Sequence, residues 1–218
     1  MKNYVLLGGH DWSDAGFFDT AMKAMKQIIK NNNEITFIES RFHTHEKNSD
    51  GVKRILSWFR YHGIDFKQHH IVDSRLTVEE QHRIIKNSDA IFINGGDTLA
   101  QMSTFNENGL VDLLHSFNGP IIGISAGAIN MAKRSVLPLT KLRTRSYEYK
   151  GTGLVDVTIT PHFDVNRSDH IISEVLPMSY KGVIYGLEEN GAVLIKGDVV
   201  SFYGGVYKIR NGEITKIN

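Results

Sequence analysis

Short apolar runs alternate along this chain with longer segments of helical pattern. Tyr4–Leu7, Ile35–Ile38, Phe66–Val72, Ala90–Ile93 and Pro120–Ile124 are β-type runs bounded by Gly, Asn or Asp. Short β-type runs of this kind, set between helix-like segments, fit the strands of a sheet covered on both faces. After the first run, Phe17, Phe18, Ala21, Met25, Ile28 and Ile29 follow a 3–4 spacing that predicts a helix. Ser13 or Asp14 is its expected cap and Asn31-Asn32-Asn33 its stop. A second helix is predicted near Val52–Tyr61, ending at Gly63 as a left-handed cap. Thr77, with Glu80 three residues on, forms a capping box that begins a third. Strand and helix repeated in this way imply a mostly parallel sheet with helices on both faces.

The last third of the chain changes character. Val155–Thr160, Gly182–Leu187, Ala192–Lys196, Val199–Tyr203 and Val206–Ile209 are strand-like runs in close succession. Gly197-Asp198 and Asn211-Gly212 are hairpin-turn dipeptides. Only Ser168–Leu176 looks helical there. These strands are expected to extend the same sheet, in part antiparallel. With four prolines, no Ser/Gly linker and no repeat, the chain reads as one domain over residues 1–218.

Composition narrows the classes of function. The chain has 218 residues, 41% hydrophobic and 22% charged, enough for a proper core. The formal net charge is +1 and no basic block concentrates it, which argues against nucleic acid or a membrane surface as partner. The lack of cysteine excludes a disulfide scaffold, a thiolate zinc site and a cysteine nucleophile. Met1–Gly8 is too short an apolar stretch for a signal peptide, and no apolar run approaches the roughly 18 residues of a membrane span. The expectation is a soluble, cytoplasmic protein.

Two glycine-bearing motifs carry the sharpest chemistry. Gly123-Ile124-Ser125-Ala126-Gly127 follows an apolar strand and opens a segment of small residues. That is the context of a nucleophile elbow, in which a strained turn projects a serine hydroxyl above the sheet beside a helix N-terminus. An ordinary tight turn would also use these residues. Asn94-Gly95-Gly96-Asp97-Thr98 follows another strand, and its glycines let backbone N–H groups approach a ligand. A plain left-handed turn is the alternative, and no Walker-type Gly-Lys-Ser/Thr follows.

A serine nucleophile needs a base. Of ten histidines, His162 stands apart in Thr160-Pro161-His162-Phe163-Asp164, where the chain leaves a strand and Pro161 restricts the backbone. Leu187-Glu188-Glu189-Asn190 follows a further strand and offers a carboxylate to orient an imidazole. His43-Thr44-His45 and His69-His70 lack a third ligand at metal spacing, and Trp58 and Phe59 read as packing.

The glycine loop, the elbow, Pro161-His162-Phe163 and Gly186-Leu187-Glu188-Glu189-Asn190 together resemble the peptidase E and cyanophycinase family of serine peptidases, in the family's own order. The resemblance covers essentially the whole chain. It implies a flavodoxin-like three-layer α/β sandwich, related to class I glutamine amidotransferases with serine in place of their cysteine. It further implies Ser125 as nucleophile, His162 as general base and Glu189 as orienting carboxylate, with Glu188 as competitor for the last role. Gly96 and Ala126 match the expected oxyanion donors, with Gly95 close behind. No cofactor or metal is implied.

The order Ser, His, Glu also argues against an α/β-hydrolase, which would need an acid between Ser125 and His162, such as Glu148 or Asp156. Arg167 matches the arginine with which peptidase E binds an aspartate side chain; three residues on, His170 stands where the family often has a second arginine. The expected partner is a small acidic peptide cleaved after an N-terminal aspartate, and a homodimer is allowed. A cyanophycinase-like isoaspartyl peptidase, an esterase and a non-catalytic binding module are the rivals.

Overall fold

The computed structural model describes residues 2–11, 13–138, 146–167 and 174–218. Five parallel strands form the body of a seven-stranded sheet: β1 (Asn3–Leu7), β2 (Glu34–Ile38), β3 (Gln68–Val72), β4 (Ala90–Ile93) and β5 (Ile121–Ile124). Their spatial order is β3-β2-β4-β5-β1, and β10 (Ala192–Lys196) and β11 (Val199–Tyr203) continue it antiparallel beyond β1. The stretch β3-β2-β4-β5 repeats the start of the flavodoxin strand order, with β1 in the fifth place.

Alternation along each strand divides the core into two layers. Val5, Leu7, Phe37, Phe92, Ile122 and Leu194 face α1 (Asp19–Met25) and α2 (His45–Tyr61), meeting Met25, Val52, Trp58 and Phe59. Leu6, Ile91, Ile93, Ile121 and Val193 face the other way. There they meet Ile85 of α3 (Val78–Asn87), Phe105 of α4 (Thr98–Glu107), Leu114 of α5 (Leu110–Ser116) and Ile129 of α6 (Ala126–Asn130). The result is a mixed α/β fold with a large, mostly parallel sheet between helical layers.

The third helix begins as its sequence predicts: Thr77 accepts from the Glu80 N–H while the Glu80 side chain accepts from the Thr77 N–H. The first helix starts later than predicted. Phe18, not Ser13 or Asp14, is its N-cap residue, and the Ser13 hydroxyl instead donates to Asp11 at 2.6 Å. The second helix reaches back to His45, one polar turn after another, before the apolar stripe from Val52 begins.

The later strands correct one expectation. Only β10 and β11 extend the main sheet; β8 (Ile159–Thr160), β9 (Ile184–Leu187), β12 (Val206–Arg210) and β13 (Glu213–Lys216) build a separate four-stranded sheet. Two further strands, β6 (Ser135–Leu137) and β7 (Tyr147–Tyr149), pair with each other. The predicted strand Val155–Thr160 shrinks to β8, because Val155 is drawn into an isolated bridge with Ala132. Both hairpin turns hold: Asn211 and Gly212 sit at φ 51° and 80°, the two positive values a type I′ turn requires. Of the predicted helix Ser168–Leu176, residues 168–173 lie outside the described residues, and a short helix covers Leu176–Ser179.

Candidate active site

The loops after β1 and β2 leave toward one helical layer and those after β4 and β5 toward the other. A crevice opens between them at the carboxyl ends of the strands, where open α/β sheets bind ligands. This cleft, of about 330 Å³, is lined by Gly9 and His10 after β1, Glu39 after β2, Asn94-Gly95-Gly96 after β4 and Ser125 after β5. His162 closes it from the smaller sheet, and Arg54, Ile55 and Trp58 of α2 form the far wall.

Ser125 sits in the predicted strained turn, at φ 51° and ψ −112°, between β5 and α6. Its N–H donates to the Leu7 carbonyl at 3.0 Å, and its carbonyl accepts from Ile129 in the first helical turn at 3.0 Å. The flanking glycines are required by close approach. A Cβ on Gly127 would stand 2.2 Å from the Ile93 carbonyl oxygen, and one on Gly123 would stand 2.8 Å from the Ala128 nitrogen. Only a residue without a side chain lets α6 fold back so tightly on the sheet.

Three side chains meet in a line. The Ser125 hydroxyl lies 2.8 Å from His162 Nε2, and His162 Nδ1 lies 2.7 Å from Glu189 Oε1. His162 also occupies positive φ, 55°, and is anchored by its neighbour: the Phe163 N–H donates to the Leu187 carbonyl at 2.8 Å, while the Phe163 ring lies against Gly186. Glu189 lies over Gly9, where a Cβ would fall 1.6 Å from its Oε2. Glu188 points elsewhere. Its carboxylate accepts from the Tyr207 hydroxyl at 2.9 Å on the smaller sheet, which raises the Tyr207 pKa. Glu148, available to a hydrolase-type order, is instead paired with Arg134 and Lys181.

Two backbone N–H groups border the same site. Ser40 Oγ donates to the Gly95 carbonyl at 2.7 Å. The peptide that follows is trans, so its N–H, that of Gly96, faces the opposite way. Ala126 is the first residue of α6, where N–H groups lack helical partners. Among the described residues neither N–H has an acceptor. A buried polar network supports the glycine loop from beneath: Gln101 Nε2 donates to the Asn94 carbonyl, and Asn130 Nδ2 to the Thr98 carbonyl and Gln101 Oε1, each at 2.9 Å.

Arg167 does not join this group. It is exposed, its N–H bonded to the Asp164 carbonyl, and it is not among the residues lining the cleft; His170 lies outside the described residues. The paired histidines have other partners, His45 with Ser74 Oγ at 2.8 Å and His70 with Glu34 at 2.5 Å. Trp58 is buried as expected, but also lines the cleft. Sequence reasoning missed Gly9, Ser40, Glu39 and Arg54. The Gly8-Gly9 pair after β1 was the one available signal, a third glycine loop at the end of a parallel strand.

Comparison with known proteins gives concordant results. The model of peptidase family S51 matches residues 4–203. Peptidase E of Haemophilus influenzae (strain PittGG) is 23% identical over 94% of this chain and 90% of its own length. A Drosophila melanogaster protein named "Probable alpha-aspartyl dipeptidase" is 22% identical over 99% of this chain and 90% of its own. The crystal structure of a peptidase from an acI-B1 Actinobacterium shares the fold at a TM-score of 0.68 and 16% identity, covering 100% of this chain and 94% of that one.

Proposed function

Because this chain belongs to peptidase family S51, we propose that it is a serine-type dipeptidase acting on small peptides with an N-terminal aspartate. The observation that carries the reading is the continuous relay from Ser125 through His162 to Glu189, at 2.8 and 2.7 Å. In it, His162 Nε2 takes the Ser125 proton as Oγ attacks the scissile carbonyl, then returns it to the leaving amine. Glu189 holds Nδ1–H, so that the tautomer is fixed and the transient imidazolium has a counter-charge. The Gly96 and Ala126 N–H groups receive the oxyanion, and water completes deacylation by the same proton route. The peptidase E and alpha-aspartyl dipeptidase names of the relatives support the substrate class.

Two arginines compete for the aspartate side chain. Arg167 matches the resemblance by position, whereas Arg54 lines the cleft and, among the described residues, has no ion-pair partner. A planar guanidinium suits a carboxylate in either case.

The test is labelling by a fluorophosphonate together with hydrolysis of Asp-Xaa dipeptides. Ser125→Ala should abolish labelling and lower kcat by about 10³-fold or more, the scale for losing a nucleophile that acts with its base. Wild type that labels no faster than this variant would sink the assignment. Replacing each arginine by Ala should identify the one whose loss flattens the preference for Asp-Xaa over Ala-Xaa, by about 10- to 100-fold. If neither does, the acidic specificity is wrong.

A further inference from the structure

One carboxyl group in the cleft has no part in the relay. Glu39 follows β2 directly, is only 6% exposed, and lines the same cleft as Ser125 and the glycine loop. Its Oε1 accepts from Asn94 Nδ2 at 2.5 Å; among the described residues Oε2 has no donor. The nearby guanidinium is already committed. Arg75 gives Nε and Nη2 to Asp73 at 2.9 and 2.6 Å and Nη1 to Ser49 at 3.1 Å. Asn94, itself 6% exposed, leaves its own Oδ1 buried without a donor. Glu39 Oε2 is therefore left as an unpartnered acceptor at the cleft, with the guanidinium beside it turned to Asp73 and Ser49.

We propose that Glu39 is the receptor for the α-ammonium group of the substrate. The proposal rests on the reading that this cleft holds a small peptide, and adds which of its groups is recognised. The adjacency of β2, β4 and β5 places Glu39 two strands from Ser125, roughly 10 Å at the usual strand spacing. One glutamate side chain and one amino-acid residue together bridge such a gap. An ammonium brings N–H donors and a compact positive charge, which suit the unpartnered Oε2 of a buried carboxylate. A buried carboxylate without a cation is costly, and a bound cation offsets that cost. Burial together with Asp73 already pushes the Glu39 pKa up to about 7, against the hydrogen bond from Asn94 and the charge of Arg75. With Arg54 on the facing wall, the cleft would present opposite charges to the two charged groups of an N-terminal aspartate.

The experiment is calorimetric binding to the Ser125→Ala protein, so that turnover plays no part. The probes are Asp-Ala, N-acetyl-Asp-Ala and N-acetyl-Lys-Ala. Asp-Ala should bind about 10- to 100-fold more tightly than its acetylated form, the scale for losing one partner of a desolvated charged pair. Adding Glu39→Gln should remove that difference by weakening Asp-Ala alone. Equal binding of the free and acetylated dipeptides, or discrimination that survives Glu39→Gln, would overturn the proposal, as would failure of Asp-Ala to bind. Glu39-dependent capture of N-acetyl-Lys-Ala in place of Asp-Ala would move the ammonium to a side chain and overturn the α-amino assignment. The comparison of free with acetylated peptide needs no Glu39 variant, so it stands even if that variant fails to fold. Fluorophosphonate labelling of wild-type Ser125 reports on the catalytic reading separately.

Discussion

At the scale of single residues, two adjacent glutamates with opposite tasks give the sharpest prediction. Glu189 reaches His162 while Glu188 is held by Tyr207. Glu189→Gln should lower kcat by about 10²- to 10⁴-fold with Ser125 still in place, as when a triad acid is replaced by its amide. Glu188→Gln should leave kcat near wild type and cost about 1 kcal/mol in a denaturation curve, for one weakened hydrogen bond. Sequence alone brought both acids to the right turn but could not choose between them, because neighbouring side chains at a strand end point to opposite sides. Glu39 was illegible for a different reason: Ile38-Glu39-Ser40 is an unremarkable exit from a strand, and only the packing of Asn94 and Asp73 around it reveals a buried acid. Its titration leads to a second prediction. With the folded value near 7 and the ordinary value at 4.5, the folded state binds the extra proton between those limits. Stability contributed by this residue is thus lost as pH rises through that window, by on the order of 3 kcal/mol at full ionisation. Glu39→Gln should melt higher than wild type at pH 8 and close to it at pH 4.5. Parallel melting curves at the two values would show that Asn94 and Arg75 already compensate the charge.

At the scale of elements, the site depends on how closely β5 and α6 meet. Gly127→Ala would drive a methyl group into the Ile93 carbonyl, so α6 must lift from the sheet and carry Ala126 and Ser125 with it. We expect a loss of about 1–3 kcal/mol in chemical denaturation, the range for overpacking, with lower kcat in the protein that remains folded. Unchanged stability and rate would mean that the turn tolerates displacement. This element was legible because sterics leave so few residues able to occupy it, and the same holds for the Thr77–Glu80 capping box. Elements whose definition depends on distant partners were not. Val155 is apolar and β-branched like the strand residues around it, yet its hydrogen bonds with Met131 and Lys133, which pair it with Ala132, detach it from the run that continues to Thr160. Ser13 and Asp14 are good cap residues that lose out to a local turn around Asp11.

At the scale of the whole molecule, apolar runs marked β1, β2, β4 and β5, since strands covered on both faces leave little choice of composition, whereas the edge strand β3 exposes Gln68 and His69 and is polar over most of its length. Such runs could not assign the later strands to one sheet or two, because half-buried strands look alike whichever neighbour they pair with. Smaller-sheet residues supply His162 and Glu189 while the main sheet supplies Ser125, Gly96 and Glu39, so the cleft exists only where the two sheets abut. One pairing within the main sheet has a temporal meaning. β1 lies between β5 and β10, yet β10 follows it by most of the chain. During synthesis β1 emerges early and waits for both neighbours, with the edge reserved for β10 left open longest. Until Ala192–Lys196 leaves the ribosome, any extended segment of another nascent chain can dock there. The main sheet is therefore complete only once Ala192–Lys196, synthesised last of its inner strands, has closed on the edge of β1.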